Sequence, residues 1–354
     1  MTVPSRAAAL LADTARDLFP GYFALVMATG VVSIACQLLG MPLLALPLVA
    51  IAWVAYLALW GLTVTRIVLF PRRIAEDLSD HQRAPGFFTI VAGTCVLGTQ
   101  TAAVAGGRAV AGGLWVLGLG LWFVVMYAFF TAVTIRARKP SLAEGINGAW
   151  LIAAVATQSI VVLRGTLDAA TAPAPAMQFA CLVFFMIGCM LYLAIIPLIF
   201  YRLTFIRLSA LDFGPPYWIN MGAVAITTLA GSILLMRSAT WPLLRDFVPF
   251  LRGFTLFFWS AATWWIPFLI ALTLWRYAVQ RAPLRYEPAL WGMVFPLGMY
   301  TTGTLQLSRA LDLPFLAVVP QAFIAVALVA WGFAFLGLLG RIASTVARAR
   351  RGKR

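Results

Sequence analysis

Long apolar stretches separated by short polar joints run through the whole chain. A helix needs about 20 apolar residues to cross the hydrocarbon core of a bilayer. Backbone groups find no water in hydrocarbon, so each such stretch is predicted to be a helix. Strands of a membrane β-barrel would be about ten residues long and alternate in polarity, which excludes that architecture. The ten predicted spans are 18–38, 43–70, 86–106, 111–135, 145–165, 176–201, 215–236, 249–276, 288–308 and 316–340.

Composition supports an all-α integral membrane protein. The chain is 63% hydrophobic and 10% charged, with a mean hydropathy of +0.95. Soluble domains are about half apolar and about a quarter charged, so a soluble enzyme and a disordered chain are both excluded. We predict a cytoplasmic tail over 1–17, a ten-helix transmembrane domain over 18–342 and a basic cytoplasmic tail over 343–354.

The distribution of basic residues predicts the topology. The chain has 26 Lys and Arg against 11 Asp and Glu. In a soluble protein this excess would suggest nucleic acid, but in a membrane protein basic residues concentrate on cytoplasmic loops. If the N-terminus is cytoplasmic, 20 basic residues lie inside and 6 outside. We therefore predict a multi-pass protein of the plasma (inner) membrane, with both termini cytoplasmic and the Arg164–Pro175 loop outside. The basic tail Arg348–Arg354 is interpreted as a flank held near anionic lipid, with partner binding as the alternative.

A helical hairpin repeats five times along the chain. In four repeats a proline stands three residues before an aromatic side chain, at a first helical turn where its missing N–H costs nothing. In the third repeat Asn147 takes the place of the proline, and Ser141 with Glu144 forms a capping-box pattern just ahead of it. The aromatic residues are Phe23, Phe88, Trp150, Trp218 and Trp291, and the four prolines are Pro20, Pro85, Pro215 and Pro288.

Mostly small residues follow each aromatic residue and permit close helix packing. We predict that the five odd-numbered helices form an inner ring with fivefold pseudo-symmetry around a central pore. The even-numbered helices would form an outer, lipid-facing ring. Four residues after the aromatic stand Met27, Ala92, Ala154, Gly222 and Phe295, and seven residues after it stand Gly30, Cys95, Thr157, Ala225 and Gly298. If the first set faces the axis, Phe295 is the main plug at that level.

The interior of the spans is polar in places but uncharged. No carboxylate lies in the middle of a span and no arginine is clearly there. Proton relays and coupling sites usually need such charges, and cation paths need acidic rings, so both are disfavoured. Most of the uncharged polar residues are expected to bond to neighbouring helices, and the donors of any that line a lumen suit an anion. They are Thr29, Ser33, Gln37, Thr94, Thr99, Gln100, Thr101, Thr157, Gln158, Asn220, Thr227, Thr228, Thr301, Thr302, Thr304 and Gln306.

The sequence offers little for catalysis or for a cofactor. His81 is the one histidine, and the four cysteines lie in apolar runs without a CxxC pair, so neither a metal nor a haem site is expected. Both lysines, Lys139 and Lys353, lie outside the spans, which argues against a retinal Schiff base. There is no GxSxG, HExxH or Walker sequence. We expect no catalytic residue, no cofactor and no removable signal peptide.

Two stretches carry a resemblance to a known family. Phe19–Ile34 (FPGYFALVMATGVVSI) and Trp291–Leu307 (WGMVFPLGMYTTGTLQL) resemble the first and ninth helices of the tellurite-resistance/dicarboxylate transporter family. That family includes bacterial tellurite-resistance channels, fungal malate permeases and sulfite efflux proteins, and the plant guard-cell slow anion channel. The resemblance covers nearly the whole chain, although the short tails here differ from the long phosphorylated termini of the plant members.

The resemblance implies a homotrimer in which each protomer has its own pore, lined by the five inner helices. It also implies that Phe295 closes this pore, and the neighbouring Pro296 is expected to kink the helix. Together with the +4 set, Gly298 and Thr302 complete the candidate pore-lining residues: Met27, Ala92, Ala154, Gly222, Gly298 and Thr302.

The expected function is transport of small anions or C4-dicarboxylates such as malate, by a channel or permease in the lipid bilayer. A proton-coupled dicarboxylate carrier and a sulfite or tellurite efflux protein remain alternatives within the family. A multi-pass membrane enzyme is a more remote alternative, because it would need clustered His, Asp or Glu at one membrane face. A membrane scaffold has only the basic tail in its favour.

Overall fold

The computed structural model describes residues 6–170 and 174–351, and all regular secondary structure within these ranges is helical. Parts of both predicted tails and of the Arg164–Pro175 loop therefore lie outside the described residues. An N-terminal helix, Arg6–Arg16, precedes ten long helices. These are α1 (Ala24–Leu38), α2 (Pro42–Leu69), α3 (Phe88–Ala105), α4 (Arg108–Ile135), α5 (Ile152–Leu167), α6 (Pro175–Phe205), α7 (Ile219–Met236), α8 (Val248–Leu274), α9 (Trp291–Leu311) and α10 (Val318–Arg351).

Nine helical segments in the described part of the chain are long and apolar enough to cross a membrane. The tenth predicted span also forms a helix, α9, but α9 is not among the nine. Its apolar residues are interrupted by Pro296, three threonines and Gln306. The described residues thus form ten long helices, but only nine qualify as membrane spans by length and hydropathy, so the predicted count of ten spans is not confirmed.

The odd-numbered helices form a closed inner ring. Contacts run from α1 to α3, α5, α7 and α9 in turn, and from α9 back to α1. Each even-numbered helix packs on the odd-numbered helix before it and touches the next one. In the segments that contain α1, α3, α5 and α7, 78% to 94% of the residues are buried, against 17% to 44% in the five even-numbered segments. This arrangement confirms five helical hairpins with an inner and an outer ring.

Tryptophans of the outer ring donate hydrogen bonds to threonines of the inner ring. Four such bonds, at 2.8–3.1 Å, join outer helices to inner ones. A buried indole N–H needs a partner in a medium without water, and these threonine hydroxyls provide it. The threonines concerned therefore face the outer ring. The pairs are Trp53 with Thr101, Trp122 with Thr157, Trp259 with Thr304 and Trp331 with Thr29.

The predicted helix starts are confirmed, in the form of a short 3-10 turn ahead of each inner helix. The four prolines occupy the first or second position of these turns. In the third repeat the Oδ1 atom of Asn147 accepts a hydrogen bond from the N–H of Ala149 at 2.8 Å. The capping box between Ser141 and Glu144 is present as well. An amide cap thus replaces the proline that the other repeats use.

The third repeat differs in register from its sequence alignment. Its 3-10 turn spans Gly148–Leu151, so Leu151 stands where Phe23 and Trp218 stand in their own turns. Leu151 is fully buried. Trp150 instead points its Nε1 atom at the carbonyls of His81 and Gly145, at 2.9 and 3.0 Å. The aromatic residue used for the alignment is therefore one position early in this repeat.

An arginine at the end of an outer helix recurs in the hairpins and holds the entry loop of its own hairpin. The Nε atoms of Arg66 and Arg202 donate to the carbonyls of Arg16 and Ala143, at 3.2 and 2.9 Å. Arg136 and Arg276 bond in the same way to the carbonyls of Ser79 and Phe213. These loops and the helix Arg6–Arg16 lie at one end of the bundle, which we call the termini face. Helix α10 continues past the predicted end at 340 to Arg351 on the same side.

Candidate functional site

A small cavity lies on the axis of the inner ring. Each of the five inner helices lines it with two residues, which no position outside the ring centre would allow. About 20 Å³ is open to the centre of a water molecule, which is room for roughly one water. All ten lining residues are uncharged: Val31, Ile34, Val96, Thr99, Ser159, Val162, Ile226, Leu229, Met299 and Thr302. In this state the axis is closed to a hydrated ion.

Three hydroxyls provide the polar part of the cavity wall. Thr99, Ser159 and Thr302 each donate a hydrogen bond to a backbone carbonyl of their own helix, at 3.0, 2.7 and 3.0 Å. Such bonds within a helix compete with other partners for the hydroxyl proton. Rotation of a hydroxyl toward the axis would turn it into a donor for a passing ligand. Thr302 is the predicted pore-lining residue that borders the cavity directly.

Phe295 lies on the cavity side of α9, one turn nearer the termini face. Met299 and Thr302 follow it at i+4 and i+7, and these offsets share a helix face. The side chain of Phe295 is 1% exposed. By the same offsets Met27 and Ala92 precede the cavity residues of α1 and α3, and both are buried.

The small predicted positions lie where inner helices touch. A Cβ atom on Gly222 would come within 2.7 Å of the Cγ atom of Pro296, so the proline ring of α9 fills the space that α7 leaves open. Likewise a Cβ atom on Gly298 would come within 2.8 Å of the Cγ1 atom of Val31. Ala154 precedes by one residue the position that matches Phe295 in the third repeat, which is Val155. Sequence reasoning missed Val155, although the absent proline of that repeat was the available signal.

Two side-chain amides of the inner ring are buried without partners. Gln100 and Asn220 are each 0% exposed. Within the described residues, neither the nitrogen nor the oxygen of either amide has a hydrogen-bond partner. Unpaired polar groups cost free energy when buried, and neither amide lines the axial cavity in this state. Gln158 is half satisfied, because its Nε2 atom donates to the carbonyl of Phe185 at 3.0 Å, whereas its Oε1 atom has no partner within the described residues.

A closed ring of five helical hairpins around an uncharged axial cavity defines a multi-pass transport protein of the membrane. The family described as voltage-dependent anion channel (SLAC1) matches residues 17–339. The chain belongs to this family of anion channels and transporters, and the resemblance seen in its first and ninth helices is thereby confirmed.

Three relatives show the range of sequence similarity. A membrane protein of Mycobacterium tuberculosis is 40% identical over 162 residues, covering 46% of this chain and 81% of that protein. A transporter of Methanocaldococcus jannaschii is 25% identical over 309 residues, covering 82% and 84%. The sulfite efflux pump SSU1 of Arthroderma benhamiae is 22% identical over 348 residues, covering 90% and 89%.

Proposed function

We propose that the protein moves small inorganic anions along the axis of its inner ring, with sulfite-sized anions as substrates. The main observation that supports this proposal is the axial cavity, which all five inner helices line with uncharged residues. Hydroxyl and amide donors without acidic side chains favour an anion over a cation. The name of the Arthroderma benhamiae relative, a sulfite efflux pump, supports small anions as substrates over malate.

In this proposal Phe295 is the gate. Its side chain is buried on the cavity side of α9, and an apolar constriction stops an ion by dewetting. Pro296 removes a backbone hydrogen bond directly after it, which gives α9 a place to bend. Opening moves the ring of Phe295 away from the axis and lets water enter.

The test is anion flux in proteoliposomes that contain the purified protein. Sulfite, nitrate, chloride and malate are offered in turn, each with and without an imposed pH gradient. We expect faster flux of the small anions than of malate, and reversal potentials that follow the anion gradient. A flux that requires the pH gradient would assign a proton-coupled carrier instead of a channel. Reversal potentials that follow potassium would overturn anion transport.

A further inference from the structure

A cluster of charged residues lies at the end of the bundle opposite to the termini face. Arg164 and Asp168, at the end of α5, form an ion pair. Arg108, at the start of α4, donates a hydrogen bond to the carbonyl of Leu167 in the same segment. The guanidinium of Arg164 also lies 5.4 Å from the ring centre of Trp115. Both arginines are therefore fixed around the end of α5.

Arg237, directly after α7, completes the cluster. It lines a second cavity of about 20 Å³ together with Asp168 and Gln178, in a position between α5 and α7. Burial lowers the pKa of Arg237, the charge of Asp168 acts in the opposite direction, and the charges of Arg108 and Arg164 lower it further. Among the described residues no ion pair or side-chain hydrogen bond is made by its guanidinium, in contrast to Arg164.

The cluster has more positive than negative charge. It contains three guanidinium groups and one carboxylate, and Asp168 is already paired with Arg164. The Nε atom of Arg164 is buried and has no hydrogen-bond partner within the described part of the chain. A partly desolvated charge is costly unless an opposite charge and hydrogen bonds accompany it. An anion would balance the charge of Arg237 and accept hydrogen bonds from guanidinium N–H groups that have no partner among the described residues.

This second cavity is separate from the axis. Its α5 residues are Val161, Gly165 and Asp168, whereas the axial cavity uses Ser159 and Val162 of the same helix. We propose that it is an anion-binding site in which Arg237 holds a small inorganic anion, while Arg164, outside the lining, offsets the charge of Asp168. Guanidinium groups form strong charge-assisted hydrogen bonds to anions. Under the predicted topology the site faces the outside, where it would concentrate anions beside the pathway.

The experiment measures equilibrium binding of radioactive chloride to the purified full-length protein in chloride-free gluconate buffer. Unlabelled sulfate serves as a competitor that tests whether the site also takes an oxyanion. We expect saturable binding that falls at least about tenfold in affinity in Arg237→Gln. Arg252→Gln removes an exposed arginine that lies outside the cluster, and this variant should bind like the parent protein. Thr302→Val alters the axial cavity, so loss of binding in this variant would place the bound chloride on the axis instead.

Three outcomes would overturn the proposal: no saturable binding, unchanged binding in Arg237→Gln, or loss of binding in Thr302→Val alone. Melting temperatures in gluconate show whether Arg237→Gln is folded, and Arg237→Lys is used in its place if it is not. Arg237→Lys keeps the charge but loses the planar fork, so it should bind with intermediate affinity. The binding assay does not depend on flux, so a failure of the transport proposal would leave its result interpretable.

Discussion

Phe295 is the bulkiest side chain at its level of the inner ring, where the matching positions hold Met27, Ala92, Val155 and Gly222. We expect Phe295→Ala to raise anion flux severalfold with selectivity little changed, because the apolar plug is lost and water can enter. Met27→Ala should raise flux less, since a flexible thioether can move aside. Flux in proteoliposomes at equal protein density measures both effects.

Folding must be checked in the same preparations. Truncation of a packed core Phe costs about 3–5 kcal/mol, so a purely structural role of Phe295 would appear as a large drop in melting temperature. A well-folded Phe295→Ala protein that conducts no better than the parent would place the gate elsewhere on the axis.

Gly222 allows α7 to lie close to α9 at the level of Pro296. An added Cβ atom would lie 2.7 Å from the Cγ atom and 3.1 Å from the Cβ atom of Pro296, and a proline ring cannot rotate away. We expect Gly222→Ala to destabilise the protein by about 1–3 kcal/mol, the usual cost of overpacking. Thermal unfolding in detergent measures the change.

The matched control is Gly61→Ala in α2. A Cβ atom at Gly61 would meet nothing within 4 Å, and alanine is the better helix former by about 1 kcal/mol. This substitution should therefore leave stability equal or higher. Equal melting temperatures for Gly222→Ala and Gly61→Ala would show that α7 and α9 can separate without cost.

At the scale of the element, the arginines that end the outer helices tie four of the five hairpins together. Arg202 at the end of α6 is 3% exposed and bonds to the carbonyls of Ala143 and Arg207. Its Nη2 atom also lies 3.5 Å from the Oδ2 atom of Asp212. The same side chain thus holds the loop before α5 and the loop before α7. These arginines therefore stabilise the loops by hydrogen bonding, in addition to indicating the topology.

We expect Arg202→Gln to lower stability by about 1.5–3 kcal/mol, the range for a hydrogen bond to a charged group, because two loop carbonyls lose their buried donor. Arg207→Gln is the control, since Arg207 is exposed and contributes only its backbone carbonyl. The readout is the melting temperature, together with protease sensitivity of the loop between α6 and α7. Similar behaviour of the two variants would contradict the structural role of Arg202.

Helix positions and the two rings could be predicted from the sequence, because membrane helices need long apolar runs and proline marks their first turns. The register of the third hairpin could not, because Asn147 caps a turn that begins one residue later than the Trp150 alignment assumes. Which neighbouring helix each threonine hydroxyl faces could not be predicted from the sequence either. Thr157 shares its offset with Gly30 and Gly298, but its hydroxyl accepts a bond from Trp122 of an outer helix. Such hydrogen bonds depend on side chains of adjacent helices, and the spacing of residues within one helix does not identify those side chains.

At the scale of the whole molecule, the lipid-facing outer ring is where copies of the chain would meet. Helix α10 lies in the outer segment with the smallest buried share, 17%. We expect purified protein to be a homotrimer with three times the 38.5 kDa of the chain, each protomer keeping its own axial pathway. Light scattering corrected for detergent measures the mass. A monomeric mass in gentle detergent, with flux intact after reconstitution at low density, would argue against the trimer.

The orientation of the molecule in the membrane is predicted from the distribution of its basic residues. The predicted inside segments carry 20 basic residues and the predicted outside segments carry 6, so the termini face should be cytoplasmic. All four native cysteines are buried, which keeps the background low for a membrane-impermeant maleimide. Ala239→Cys and Ala137→Cys place single exposed thiols at the two opposite faces. We expect labelling of Ala239→Cys in intact cells, and of Ala137→Cys only after the cells are permeabilised. The reverse pattern would invert the topology and place the Arg237 cavity on the cytoplasmic side.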